Sequence, residues 1–332
     1  MKKKIFAVIF SAMLCLVCFA GCNCSSNGKT KIRLSEVTHS IFYAPMYLAQ
    51  NLGYFDEEGL DVSFTNAGGA DKVMSAIASG SAEIGLMGPE ATIYCHVEGQ
   101  KNYPIIFGQL TNKDGSFLVG RKPEPDFKWS DLNGKHVLAG RPGGVPAMML
   151  QYVCNNAGLY HGENINLDTT VAFDAMVGAF DGDTKYDYCT MFEPTASEHV
   201  LSGRGYIVAS VGDAGGAVPY TAFSASKSYL EKNRDTALAF LRAVFKGYKY
   251  MTEHTPEESA KHLTASFVDT PEASIAASLK SYLDIEAFAK TPVLKESDFN
   301  HLMDIMENAG TLPSRADFDK AVDNSIAAEI ML

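Results

Sequence analysis

Catalytic and cofactor signatures are missing from this chain. Its eight histidines fall in no H-E-x-x-H or comparable spacing, which removes the usual basis for a zinc site. No G-x-S-x-G nucleophile elbow occurs. Gly143-Gly144 is not followed by Gly-Lys-Ser/Thr, so a nucleotide-binding phosphate loop is disfavoured. Seven cysteines do not amount to a disulfide framework: four crowd the first 24 residues, one pair of them (Cys15 and Cys18) at redox-like spacing inside an apolar run. The other three, Cys95, Cys154 and Cys189, are an odd and scattered set, expected as buried thiols. Positive charge is also scarce. The 28 Lys and Arg face 39 Asp and Glu, a net charge of −11 that argues against nucleic acid and against broad contact with anionic lipid. The single tryptophan, Trp129, stands in a loop and is expected to pack at the surface. Tandem repeats and low-complexity stretches are absent, and no cofactor or metal is expected.

What is present begins with an address. Lys2-Lys3-Lys4 form a positive start, and Ile5 to Ala20 is an apolar run too short to span a bilayer. Phe19-Ala20-Gly21-Cys22 resembles the bacterial lipobox, with Phe19 where Leu is usual; this implies cleavage before Cys22 and diacylation of its thiol. A plain secretory signal is the alternative. Residues 23–31 read as a polar tether that holds a soluble domain off a membrane. The expectation is a signal peptide over 1–21, a lipidated cysteine and tether over 22–31, and a protein outside the cytoplasm. Loss of the signal removes three lysines and no acid, so the remainder is more acidic still.

The segment from Phe42 to Val62 is the most informative part of the remainder. Pro45 suits a first helical turn, where its missing N–H would be unpaired anyway. Met46 to Leu52 give a short apolar helix, and Gly53 fits the left-handed position that ends one. Ile32-Arg33-Leu34 before it and the alternating Leu60 to Phe64 after it are strands, which predicts a parallel pair with a right-handed crossover. The loop from His39 to Pro45 then sits at a strand's carboxyl end, where open α/β sheets bind ligands. Further strands are expected at 82–88, 104–110, 117–119, 136–139, 169–173, 188–192, 206–209 and 219–225. Helices are expected at 72–79, 91–97 and 145–157, and almost continuously from Ser228, including 235–252, 256–266, 271–287 and 297–309. Two α/β units, the second inserted into the first, with crossings near 111–117 and 217–221, suggest a hinged clamshell.

At this point a family resemblance is specific. The chain resembles the solute-binding subunits of ABC importers, in the branch that includes sulfonate, taurine and thiamine-pyrimidine binding proteins. The residues that carry it are Tyr43-Ala44-Pro45 with Leu48-Ala49, the run from Gly53 to Val62, and the helix–glycine–strand run from Ala76 to Gly85. Asp131 to Lys135, Glu193-Pro194 and Ser228-Tyr229-Leu230 follow in the same order, so the likeness covers 32–308. It implies a type II periplasmic-binding-protein fold, α/β, with 32–115 and 220–332 as one lobe, 116–219 as the other, and a helical C-terminal portion. It also implies a monomer that takes a small-molecule solute in the cleft and docks on membrane permease subunits driven by a cytoplasmic ATPase.

In such a clamshell the ligand meets strand-end loops and helix N-termini, where unpaired N–H groups and the helix dipole favour acceptor groups. On the first lobe this singles out Ser40, Phe42, Tyr43, Gly69, Gly88, Glu90 and Asn112. On the second it singles out Arg141, Gly143, Gly144, Asp174, Phe192 and Glu193, with Tyr220 at the return crossing. Glu193 follows an apolar strand and precedes Pro194, and the resemblance implies a contact there in pyrimidine-binding relatives; a helix-capping or lobe-bridging acid is the other reading. Arg141 suits a sulfonate or carboxylate, or else a neighbouring acid. The aromatics at the predicted loops favour a planar heterocycle such as a thiamine-type pyrimidine, with an alkanesulfonate as the runner-up. One relative in this superfamily, the yeast-type pyrimidine synthase, is an enzyme with a cysteine-rich motif; the nearest counterpart here is the cysteine set of the signal, so a non-enzyme is expected. A lipid-anchored enzyme or an adhesin is the distant alternative. Cys22→Ala should abolish incorporation of a clickable palmitate and move the protein from the membrane fraction to the soluble one. Label retained on that variant would refute the lipobox reading.

Overall fold

The alternation of buried Ile32 and Leu34 with exposed Lys31 and Arg33 builds the first strand, β1 (Thr30–Glu36), of a computed structural model that describes residues 28–332. The expected signal and the lipidated Cys22, with Cys24, lie outside the described residues. Ten strands form two five-stranded mixed sheets. The first contains β1, β2 (Leu60–Asn66), β3 (Ile84–Met87), β4 (Pro104–Thr111) and β10 (Thr221–Ser226), in the order β2-β1-β3-β10-β4. The second contains β5 (Phe117–Gly120), β6 (His136–Leu138), β7 (Asn166–Asp168), β8 (Tyr188–Met191) and β9 (Tyr206–Ser210), in the order β7-β6-β8-β5-β9. The predicted parallel pair is present, with Ile32 opposite Val62 and Leu34 opposite Phe64. β10 returns antiparallel to both β3 and β4, so the last strand of the first sheet arrives only after the whole second sheet has been built.

Pro45 lies in the first turn of the helix Ala44–Asn51, and Gly53 takes φ +78° just beyond it, as the sequence requires. The twenty-residue helix Arg234–Glu253 lies across that helix. Gly247 is the contact point: a Cβ there would overlap the Pro45 carbonyl oxygen. Phe240 on the same helix stacks on Phe55 at 5.3 Å and meets Phe223 of β10 edge-on at 5.1 Å. In the second lobe Arg121 is drawn inward. Its guanidinium donates to the carbonyls of Phe180, Tyr186 and Asp183 at 2.6–2.9 Å and sits 4.1 Å from the Phe180 ring centre. Cys95, Cys154 and Cys189 are buried and unpaired. Among the described residues no helix is long and apolar enough to cross a membrane.

The element reading needs two corrections. The strand expected at 169–173 is instead Asn166–Asp168, followed by a 3-10 turn at Phe173–Ala175. Asp168 Oδ1 accepts from the N–H and hydroxyl of Thr170 at 2.8 and 2.7 Å, a local turn that ends the strand early. The helix expected to reach Ala287 stops at Asp284. Beyond it Glu286 adopts φ +51°, and the chain runs as an extended rail beside the crossing: Asn112 N donates to Ala287 O at 2.7 Å and Ala289 N to Leu110 O at 3.0 Å. Four helices, Tyr54–Glu57, Met176–Gly182, Thr195–Leu201 and Val211–Gly215, were not foreseen.

Gly247→Ala should lower unfolding free energy by about 2–3 kcal/mol, because the added methyl meets backbone rather than a movable side chain. A urea titration that left the midpoint unchanged would contradict this helix contact.

Candidate ligand cleft

The two sheets are joined by residues 112–116 going out and 211–220 coming back. Val218 N donates to Asn112 O at 3.0 Å, Tyr220 N to Thr111 O at 3.1 Å, and Val211 N to Ser116 O at 3.0 Å. The Thr111 and Thr221 hydroxyls pair at 2.5 Å beneath them. The lobes meet in front of this joint. Ser40 accepts from Phe42 N at 3.1 Å and starts the turn that presents Phe42 and Tyr43, both almost fully buried. The Phe42 ring lies 4.6 Å from Tyr282, 5.8 Å from Tyr220 and 6.0 Å from Phe192, the last reaching in from the second lobe. Phe192 in turn meets Phe173 at 5.7 Å. A Cβ on Gly115 would press on the Phe42 ring, so the crossing itself forms the floor of this aromatic group.

Beside it opens a cavity of 760 Å³, walled by Ala70, Asp71, Glu90 and Tyr94 from one lobe and by Arg141, Gly143 and 169–172 from the other. Arg141 donates to Asp71 across its mouth at 3.0 Å, and both side chains remain partly exposed. Gly69 is small for a steric reason: a Cβ there would lie 2.9 Å from the Arg141 guanidinium. Gly88 likewise leaves room for the Glu90 carboxyl, which folds back over it. Gly143 takes φ +70° in the turn after β6, and Gly144 precedes the helix Val145–Asn156.

Most of the residues singled out from the sequence therefore come together: Phe42, Tyr43, Phe192 and Tyr220 in the aromatic group, and Gly69, Gly88, Glu90, Arg141, Gly143 and Gly144 around the cavity. Asn112 faces the other way. It lines a separate 180 Å³ pocket behind the joint, with Gln109, Glu286 and Lys290. Asp174 is exposed on its 3-10 turn and lines neither. Glu193 is buried, but its carboxylate oxygens accept from Ser197 N at 3.0 Å and Ser197 Oγ at 2.7 Å, capping the helix that follows Pro194. Its backbone N–H donates to the Tyr282 hydroxyl at 3.0 Å, a tie from the helix Glu272–Asp284 to the second lobe.

Sequence reading passed over Tyr282 and Asp114. Tyr282 gave no signal, being one apolar-face residue of a long helix. Asp114 had one, as the only acid in the crossing 112–116, but that stretch read as a polar break. It is fully buried; Oδ1 accepts from Ser116 N at 2.6 Å and Oδ2 has no partner. Ser116 Oγ, Glu90 Oε2 and the Tyr220 hydroxyl are also buried without a partner. Burial pushes the Asp114 carboxyl up to about 7, although Ser116 and Tyr220 pull it down. Burial also pushes Glu90 up to about 7, against its own helix N–H groups and Arg141. Tyr220 is held well above the usual phenol range by burial, with Asp114, Tyr43 and Glu90 acting in the same direction.

Two mixed α/β sheets, joined by crossing segments with a cleft in front of them, define the two-lobed periplasmic-binding-protein fold. The alkanesulfonate-binding protein SsuA from Xanthomonas axonopodis pv. citri, bound to MOPS, has this fold; it superposes with a TM-score of 0.68 at 15% identity, covering 90% of this chain and 99% of that one. The model of the NMT1/THI5-like family matches residues 41–259, and the chain belongs to that family. The candidate binding protein YtlA of Bacillus subtilis (strain 168) is 38% identical over 301 residues, 91% of this chain and 90% of that one. A 4-amino-5-hydroxymethyl-2-methylpyrimidine phosphate synthase from Schizosaccharomyces pombe is 29% identical over 119 residues, only 36% of this chain and 33% of that one.

Asp114 and Glu90 bind protons in the folded state that they release at lower pH when unfolded, so stability should fall as pH rises from about 4 to about 7. Asp114→Asn should be more stable than the parent by about 1–3 kcal/mol at pH 8, with the gap narrowing below pH 7 and closing near pH 4. Urea midpoints of the two proteins across that range check the sign; a gap independent of pH would refute the assignment to Asp114.

Proposed function

We propose that the protein is the extracytoplasmic, lipid-anchored solute-binding component of an ABC importer, and that it takes a small aromatic or heterocyclic solute between its lobes. The observation that carries this reading is the cleft itself. Aromatic rings from both lobes and the return crossing converge on Phe42 beside a cavity of 760 Å³, large enough for a small organic molecule. A planar ring inserted among Phe42, Phe192 and Tyr220 would replace their mutual contacts with offset stacking. Closure then amounts to rotation about the paired crossings 112–116 and 211–220, with the ligand supplying the differential affinity for the closed form. A micromolar ligand contributes about 8 kcal/mol, ample to bias such an equilibrium. YtlA, similar along nine-tenths of its length, supports a binding role; the pyrimidine synthase likeness supports a thiamine-type pyrimidine as the solute. The protein then docks as a monomer on its permease and performs no chemistry of its own.

An anionic solute is the second reading. Arg141 at the cleft mouth and the fold shared with an alkanesulfonate-binding protein favour it. Against it, Arg141 already hydrogen-bonds Asp71 and holds that carboxyl below its ordinary value.

A thermal-shift screen separates the two. At 100 times its dissociation constant a specific ligand adds about 2.7 kcal/mol of stability, a shift of several degrees. 4-Amino-5-hydroxymethyl-2-methylpyrimidine is expected to give that shift and taurine or ethanesulfonate none. The reverse pattern would establish the anionic reading, and no shift with any small solute would remove the transport role.

A further inference from the structure

Four buried polar atoms around this cleft make no well-formed hydrogen bond: Glu90 Oε2, Asp114 Oδ2, Ser116 Oγ and the Tyr220 hydroxyl, the last two lying close enough to Asp114 to hold its carboxyl down. All four side chains are nine-tenths buried or more. Leaving such groups unpaired costs about 1–3 kcal/mol each, and a fold keeps them where something else completes them. They form one group rather than four accidents: Tyr220 and Gly115, the residue between Asp114 and Ser116, both pack on the Phe42 ring, and Tyr220 lies within electrostatic reach of both Asp114 and Glu90. Glu90 also walls the open cavity, whereas Asp114 and Ser116 belong to the crossing beneath the adjoining Phe42 ring. Two of the four are carboxyl oxygens, so the group is built to accept.

We propose that Glu90, Asp114, Ser116 and Tyr220 form the specificity subsite of the cleft, and that it selects a planar nitrogen base carrying positive charge while rejecting anions. This rests on the solute-binding reading above and adds the charge of the solute. The groups facing Asp114 are Ser116 from its own segment, Tyr220 from the return crossing and Tyr282 from the helix Glu272–Asp284. Those facing Glu90 are Tyr43, Tyr94 and Tyr220, with Arg141 from the opposite lobe as the sole cation. Apart from Arg141, then, the surroundings are phenols and acids. An amidine-type N–H pair presented to a carboxylate gains two charge-assisted hydrogen bonds and neutralises its buried charge. A carboxylate or sulfonate in the same place would set like charge against like in a dry site.

Proton linkage follows from the same geometry. In the empty cleft the two carboxyls are partly protonated near neutrality. A cation that pairs with one of them draws its proton off to solvent, so binding strengthens as pH rises. With one proton released, affinity should rise about tenfold between pH 6 and pH 8.

The test is calorimetric titration of the full chain in detergent with three near-isosteric probes: benzamidine, benzamide and benzoate. Benzamidine should bind about tenfold more tightly than benzamide at pH 8, should strengthen about tenfold from pH 6 to pH 8, and benzoate should not bind measurably. In the double variant Glu90→Gln with Asp114→Asn, which leaves the fold without a buried charge to strain it, benzamide binding should persist and the benzamidine pH slope should vanish. Benzoate binding as tightly as benzamidine, or an unchanged slope in the double variant, would overturn the charge selection while leaving the cleft a ring site. No binding of any of the three by protein that still melts cooperatively would overturn the ring reading and the subsite with it.

Discussion

Everything in this molecule is arranged around one constraint: a chain that builds a second lobe midway through the first must cross between them twice, and every backbone group at the crossing must still be paired. The solution uses three segments rather than two. Asn112 donates to Ala287 on one side and accepts from Val218 on the other, so the outgoing chain is flanked by the returning chain and by an extended rail from the C-terminal region. Because the polar backbone is satisfied sideways, the face toward the cleft is left to side chains. Phe42 packs on Gly115, and Asp114 is carried into the interior with half its hydrogen-bonding capacity unused.

That arrangement lets two of the C-terminal helices reach beyond the first sheet. The helix Glu272–Asp284 supplies Tyr282 to Phe42 at one lobe and to the Glu193 N–H at the other. The helix Glu296–Asn308 lies against Val145–Asn156, and Asn155 donates to Asn308 at 2.8 Å. These two helices therefore tie into both lobes, whereas Arg234–Glu253 packs within the first, the lobe to which the sequence reading assigned all of 220–332. Their ties are mostly single neutral hydrogen bonds worth about 1 kcal/mol each, a scale that a ligand's binding energy can outweigh.

Local rules made much of the fold legible. Pro45, Gly53 and the alternation in β1 and β2 state their backbone geometry outright, and the aromatic loops at Phe42 and Phe192 were readable because they end strands. The misreadings share a cause in competition between local and distant partners. Thr169 to Phe173 has strand-like composition, but Asp168 captures Thr170 first. Asp284 to Ala287 continues a helical pattern, yet pairing with the crossing pulls it straight. Asn112 and Asp114, two residues apart, would share a face on a regular extended chain; they part because the crossing 112–116 is not a regular strand, and no local signal says how its backbone turns. Glu193 was visible as a buried acid at a strand end; that Ser197 occupies both its oxygens depends on a helix the sequence did not announce.

Under the proposed extracytoplasmic location, the three buried thiols carry a consequence for the life of the protein. Cys95, Cys154 and Cys189 sit in separate parts of the interior, one beside the cavity and two in the second lobe, and burial raises the pKa of each. Folded, they are shielded from exchange. An excursion to the open chain in an oxidising compartment would free all three to cross-link in pairs absent from the folded protein. Each such event would compete with refolding, so persistence in such a compartment rests on how seldom the chain opens rather than on how well it refolds.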